Sequence, residues 1–236
     1  MRAYHAERYR AGNIVLAVSG RFDWDEVQRL AQSSCGSWPA GTPPRVIRPA
    51  TPQRSTQWIS RGHLQQEQIV QLTPAPSATD DLRFAAELLT VIVGDDSNSR
   101  LYWELVDPGD ADSAEISYSD FEGAGAFLTY LSGEPDQTAS NLERIANVCA
   151  TVNQDGVTAD ELELAKNKVS TRIVLRGERP MGRLSTLGHD WLIRREYRSV
   201  DDDLKLLNSL TLADLRRLLD QYPLVGTTTV GVGPLS

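Results

Sequence analysis

Any metal-assisted hydrolysis by this chain would begin with its three histidines, His5, His63 and His189. A zinc centre needs three or four convergent nitrogen, sulfur or oxygen ligands. His5 is followed by Glu7 and Arg8, so neither H-x-x-E-H nor H-x-x-x-H is formed. His63 stands alone between two expected strands. His189 has Asp190 beside it, but adjacent helical residues point to different faces. The stretch TVNQDG starts like a calcium loop, yet its first ligand position is Thr151 and its twelfth is Leu162, where a bidentate Glu is required. DPGDAD, Asp107 to Asp112, is acidic but has no closing Glu and reads as a solvated loop. The turns GAG (Gly123 to Gly125) and GVG (Gly231 to Gly233) do not extend to G-x-G-x-x-G, so no phosphate cradle is formed. No G-x-S-x-G is present, and neither Cys35 nor Cys149 has a histidine signature nearby. Both cysteines sit in apolar helical patterns and read as buried free thiols, with a disulfide left open. The residues therefore assign no catalytic group and no metal ligand.

Composition narrows the classes further. The chain has 236 residues, 40% of them hydrophobic and 24% charged, which suits a globular protein with a sizeable core. A net charge of -8 opposes nucleic-acid and anionic-lipid binding, both of which need clustered Lys and Arg. Aromatic residues are scattered and build no stacking platform for bases. No apolar run reaches the roughly 20 residues that span a bilayer. The N-terminus lacks the apolar region of a signal peptide, so a cytoplasmic location is expected where Met1 is the true start.

What would position any site is an alternation of strands and helices. IVLAVSG, Ile14 to Gly20, reads as a strand covered on both faces. Asp23 caps the helix after it, with Glu26 at the capping-box position and Val27, Leu30 and Ala31 on its apolar side. Pro39 to Pro52 holds five of the twelve prolines and reads as an extended linker. Gln57–Ser60 and Gln68–Leu72 follow as strands. A helix carries Leu82, Ala85, Leu89 and Ile92 to Gly94, and a short helix starts at Asp96 or Ser97. Glu115–Phe121 and Ala126–Ser132 form a hairpin through EGAG. In the next helix Leu142, Ile145, Cys149 and Val152 share one face. Thr158 then caps a helix with Glu161 at the box position; Leu162, Ala165, Val169 and Ile173 turn inward, and Lys166, Lys168, Arg172 and Arg176 stay less buried. Met181–Ile193 is helical, Asp201–Asp203 open one further helix, and Thr211 caps the last. TTTVGVG closes the chain as a strand. This order indicates an α+β sandwich.

Several of these stretches carry a resemblance. GDDSNSRLYWEL (Gly94 to Leu105), GAF (Gly125 to Phe127), GVTADELELAKNK (Gly156 to Lys168) and VGVGP (Val230 to Pro234) resemble, in order and spacing, the C-terminal, non-zinc half of the M16 zinc peptidases. That is the insulinase and mitochondrial-processing-peptidase family. HAERYRAGNIVLAVSGRFDWDEV looks like the end of the family's preceding domain. The resemblance implies an α+β fold, a two-layer antiparallel sheet with helices packed on one face, preceded by a partial domain. The implied layout is a domain tail at 1–38, a proline-rich linker at 39–53 and a complete C-terminal-type domain at 54–236.

Active members hold zinc through H-x-x-E-H and a further Glu in the front of the first domain, with the motif Glu as general base. No position here fills that set. Active members also place an Arg after the S-R-L helix and a Tyr several residues later, both reaching toward peptide and oxyanion. Val106 and Ser113 stand at those positions. Tyr118 lies too far along for simple substitution, although a shifted loop would bring it near. Ser99, Arg100, Leu101, Tyr102 and Tyr118 are the family-motif positions, structural first and candidates for substrate contact second.

The implied function is a non-catalytic M16 subunit or remnant, inactive alone, forming one wall of a peptide-binding chamber. Its partner is an M16 domain carrying H-x-x-E-H, in trans or upstream in the same chain. The chain itself binds no cofactor, and zinc enters only through that partner or a missing N-terminal domain. Two alternatives are the truncated C-terminal part of an active zinc endopeptidase and a structural assembly subunit. Peptide is the expected ligand; nucleic acid and membrane are not expected.

Overall fold

A computed structural model describes residues 1–43, 46–47, 53–226 and 228–234. Its helices are α1 (Arg2–Arg8), α2 (Trp24–Cys35), α3 (Arg83–Gly94), α4 (Thr138–Asp155), α5 (Ala159–Glu178), α6 (Pro180–Arg194), α7 (Val200–Ser209) and α8 (Leu212–Gln221). Its strands are β1 (Ser55–Ser60), β2 (Glu67–Ala75), β3 (Ser113–Phe121), β4 (Ala124–Gly133) and β5 (Thr228–Gly233). Chain contacts group the molecule into two compact units, Met1–Arg48 with Ile173–Asp201, and Pro49–Arg172 with Asp202–Ser236. Of the proline-rich linker, residues 44–45 and 48–52 lie outside the described residues.

The larger unit holds a five-stranded sheet in the order β1-β5-β2-β4-β3. The α+β class is observed. The sheet is antiparallel except for one pair, since β1 and β5 run parallel. That pairing joins the first strand to the last across most of the chain, and a parallel pair requires such a long connection. β3 and β4 close as a hairpin through Glu122 and Gly123, Phe121 facing Ala124, and Gly123 takes the positive φ of 84° that such a turn demands.

Helices cover one sheet face. Nine of the twelve residues of α3 are buried, because the helix is apolar nearly all round. α3 lies on β3 so closely that a Cβ on Gly94 would stand 2.3 Å from the Ile116 nitrogen. Ile69, Ala114, Ile116, Phe127 and Leu131 point to this side and are buried. Alternate residues point the other way, and none of the described apolar side chains there is buried. Ile145, Cys149 and Val152 are buried on α4, and Leu162, Ala165 and Val169 on α5, as their helical spacing predicts.

Three local expectations are corrected. Ile14 to Gly20 is not a strand: Ile14 is extended (φ -125°, ψ 136°), but Val15–Phe22 make no main-chain hydrogen bond among the described residues. A strand needs a ladder partner, however β-prone its residues. The short helix starts at Arg100 and not at Asp96 or Ser97, and Tyr102–Val106 widens into a π-turn. Lys166 is buried to 9% exposure and reaches out to Glu163 at 3.0 Å, its methylenes packed and its ammonium paired.

In the smaller unit, Asp23 Oδ1 accepts the Glu26 N–H at 3.0 Å and caps α2. No residue of α2 is buried, and Leu30 keeps 49% exposure.

Candidate functional site

The motif positions converge on the turn after α3. Ser99 Oγ donates to the Asp95 carbonyl at 2.7 Å and accepts the Tyr102 N–H at 3.2 Å. It thereby caps the short helix. Leu101 is fully buried. Arg100 leaves this turn toward the start of α5. Its Nε and Nη2 donate to the two Glu161 oxygens at 2.7 and 2.9 Å, and Nη2 donates to the Gly156 carbonyl at 3.2 Å. Glu161 also accepts from the Thr158 N–H and hydroxyl at 2.7 and 2.9 Å, while its own N–H donates to Thr158 Oγ1 at 3.2 Å. The capping box read from sequence is therefore also half of a bidentate ion pair. The Arg100 hydrogen bond, opposed by partial burial, holds the Glu161 carboxyl down at about 2. The same bond raises the Arg100 pKa against burial.

A small, shallow depression opens beside this turn. Val106 and Ser113, the two positions where the family pattern has Arg and Tyr, both line it, together with Tyr102. Four carboxylates also reach it, Asp95, Asp96, Asp112 and Glu115. Lys168 and Arg172 from α5 bind Asp95 at 2.5 and 2.8 Å. Burial pushes the Asp95 carboxyl up, but the hydrogen bonds from Lys168 and Arg172 outweigh it and leave its pKa lowered. Asp112 accepts from Gln66 Nε2 at 2.8 Å, and Glu115 accepts from Ser113 Oγ at 2.8 Å. Neither of these two has a basic partner among the described residues.

Tyr118 lies away from the depression. Its hydroxyl donates to the Pro76 carbonyl at 2.7 Å, and its ring tilts against Phe127 at 5.8 Å. Burial, then the charges of Asp120 and Asp80, push its phenol pKa up. The acidic loop read as solvated is partly tied down. Arg144 on α4 binds Glu104 at 2.9 Å and Asp110 at 2.7 Å and also donates to the Glu104 carbonyl. Asn141 Nδ2 donates to the Asp110 carbonyl at 2.7 Å. Arg144 carried no local signal, since its partners lie 34 and 40 residues away.

The histidines sit on three separate elements. His5 on α1 stacks on Tyr9 at 4.4 Å, His63 lies in the turn after β1, and His189 is on α6. Among the described residues, no group of three or more His, Cys, Asp or Glu is placed to hold a metal ion. The side chains present thus do not fit the zinc of active M16 members. Cys35 and Cys149 are free thiols, Cys149 buried with its pKa pushed up to about 11 by burial.

Residues 1–169 match the family model described as Peptidase M16 inactive domain. The chain belongs to the M16 peptidase family. Among curated relatives, an uncharacterized zinc protease of Mycobacterium leprae is 28% identical over 233 residues, 94% of this chain and 51% of the relative. One from Streptomyces coelicolor is 26% identical over 227 residues, 92% of this chain and 49% of the relative. This M16 chain thus spans about half the length of these relatives. The fold also matches a crystal structure of a peptidase M16 inactive domain from Pseudomonas fluorescens, with a TM-score of 0.89 at 20% identity over 100% of this chain and 57% of that one. A protease from Helicobacter pylori gives 0.85 at 20% identity, covering 98% and 58%. Among the described residues, no helix of the M16 chain is long and apolar enough to cross a membrane.

Proposed function

We propose that this M16 domain is a non-catalytic half that forms one wall of a peptide-binding chamber. The opposing wall is an M16 domain carrying H-x-x-E-H, in trans or in the same polypeptide. That domain brings the zinc; this chain's residues only hold and orient peptide.

The observation that carries the reading is the helix-free sheet face. Register places Gln57, Val230, Val70, Tyr130 and Glu115 in one row across all five strands. Ser55, Thr228, Leu72, Leu128 and Ser117 form the next row. All ten are half-buried or exposed. The face is apolar in the middle and polar at its margins, which suits transient contact with an extended chain better than a permanent core. The replacements at Val106 and Ser113 support a holding role over a chemical one, because neither side chain can supply the charged or phenolic donor of active members.

The test is reconstitution. This chain is mixed with an H-x-x-E-H-bearing M16 domain from the same source, and cleavage of an unstructured peptide is followed with and without chelator. Leu72→Asp on the open face should lower kcat/KM several-fold while the two proteins still co-elute. Cleavage that is indifferent both to adding this chain and to Leu72→Asp would end the reading.

A further inference from the structure

The open face has a charge pattern that the wall reading does not itself require. No Lys or Arg occurs on any of the five strands. Their only charged residues are Glu67, Glu115 and Asp120. Strand side chains alternate between faces, so register puts Glu67 and Asp120 on the helix-covered side and leaves Glu115 as the single charge of the open face. Glu115 is exposed and stands at the β3 margin. Asp112 lies next to that margin, also exposed, its N–H bonded to the Ser132 carbonyl at 2.9 Å. Across the sheet from this negative end run Tyr130, Val70 and Val230, with Leu128 and Leu72 in the adjoining row.

We infer that the helix-free face selects an extended peptide whose apolar segment lies over Val70, Leu72 and Tyr130 and whose Lys or Arg reaches Glu115 and Asp112. The inference rests on the wall reading and adds a substrate class to it. Neighbouring strands stand ~4.8 Å apart, so the row from Gln57 to Glu115 spans about 19 Å. An extended chain rises about 3.3 Å per residue and crosses that distance in about six residues. A basic residue at one end of a six-residue apolar stretch therefore meets the acidic margin when the stretch is centred on Val70. With no Lys or Arg on any of the five strands, an acidic residue at the same place is repelled by Glu115 and Asp112.

The test uses the full chain and three blocked decapeptides with the same Leu- and Val-rich centre, ending in Lys-Lys, Gln-Gln or Glu-Glu. Binding is read from amide shift changes at low salt. The Lys-Lys peptide should bind roughly three- to fivefold tighter than the Gln-Gln one, the scale of exposed ion pairs. The gap should close with salt and in Glu115→Gln and Asp112→Asn, with perturbed amides centred on Val70, Leu72 and Tyr130. Equal binding of all three peptides at those amides overturns the charge selection and leaves the wall reading standing. Absence of any peptide-induced change on the face overturns both. Concentration-dependent perturbation of the same amides without peptide assigns the face to a second copy and also overturns the inference.

Discussion

The ion pair between Arg100 and Glu161 makes the sharpest quantitative prediction. Glu161→Gln keeps the shape of the side chain and an acceptor for the Thr158 N–H, but removes the charge. The fall of the Glu161 carboxyl from its ordinary 4.5 to about 2 is worth roughly 3–4 kcal/mol at most. The Glu161 side chain keeps 28% of its surface in solvent, and screening there leaves roughly 1–2 kcal/mol. For a chain of this length that lowers Tm by roughly 3–6 °C at pH 7. The sign follows from proton linkage. Folded Glu161 holds its proton less tightly than unfolded Glu161, so its contribution is full above about pH 4.5 and is lost as pH falls through about 2. At pH 3 the gap between wild type and Glu161→Gln should have narrowed by about three-fifths. Urea unfolding followed by circular dichroism at pH 7, 5, 4 and 3 measures it. No gap at pH 7, or a gap that is the same at pH 3, would refute the assignment of stability to this charge pair.

Four further outcomes follow from the same structure. The isolated chain should bind no stoichiometric zinc by metal analysis and cleave no unstructured peptide, since its described residues assemble no ligand set; chelator-sensitive cleavage by the chain alone would contradict this. Gly125→Ala should destabilise by about 1–3 kcal/mol or more in a thermal melt, because its Cβ would stand 1.8 Å from the Pro76 carbonyl oxygen. Cys149, buried with a thiol pKa of about 11, should resist a thiol reagent at pH 8 until urea unfolds the chain, while the less buried Cys35 reacts in the folded protein. Amides of Val15–Phe22 should exchange fast in the isolated chain, and protection there on adding an M16 partner would show that the segment has found a sheet edge.

What the sequence disclosed, and what it withheld, divides by the range of the interaction. Asp23 with Glu26 and Thr158 with Glu161 are contacts three residues apart, so side-chain chemistry alone locates the helix starts. The hairpin between β3 and β4 is equally local, a two-residue turn with Gly123 at the position that needs a positive φ. The inward faces of α4 and α5 follow from helical period, and burial of Ile145, Cys149, Val152, Leu162 and Val169 agrees with it. Ile14 to Gly20 shows the limit of that logic. Its composition is that of a covered strand, but a ladder is a property of two segments, and no partner for it stands among the described residues. The parallel pairing of β1 with β5 is non-local for the same reason.

The electrostatics of the candidate site were hidden for a related cause. A helix period reports which side chains avoid water; it does not say which distant charge an arginine will meet. Arg100 finds Glu161 across 61 residues, Arg172 finds Asp95 across 77, and Arg144 finds Asp110 across 34. In each case one partner comes from the segment between α3 and β3, and the other from α4 or α5. These pairs hold the π-turn and the acidic loop from the side of the two long helices. The loop is anchored there, and it carries Val106 and Ser113 at the positions where the family pattern has Arg and Tyr. If Arg144 serves only this positioning, Arg144→Leu should speed amide exchange at Trp103–Asp112 and leave exchange in β2 unchanged. Equal acceleration in β2 would mean that Arg144 supports the whole unit and not the loop alone.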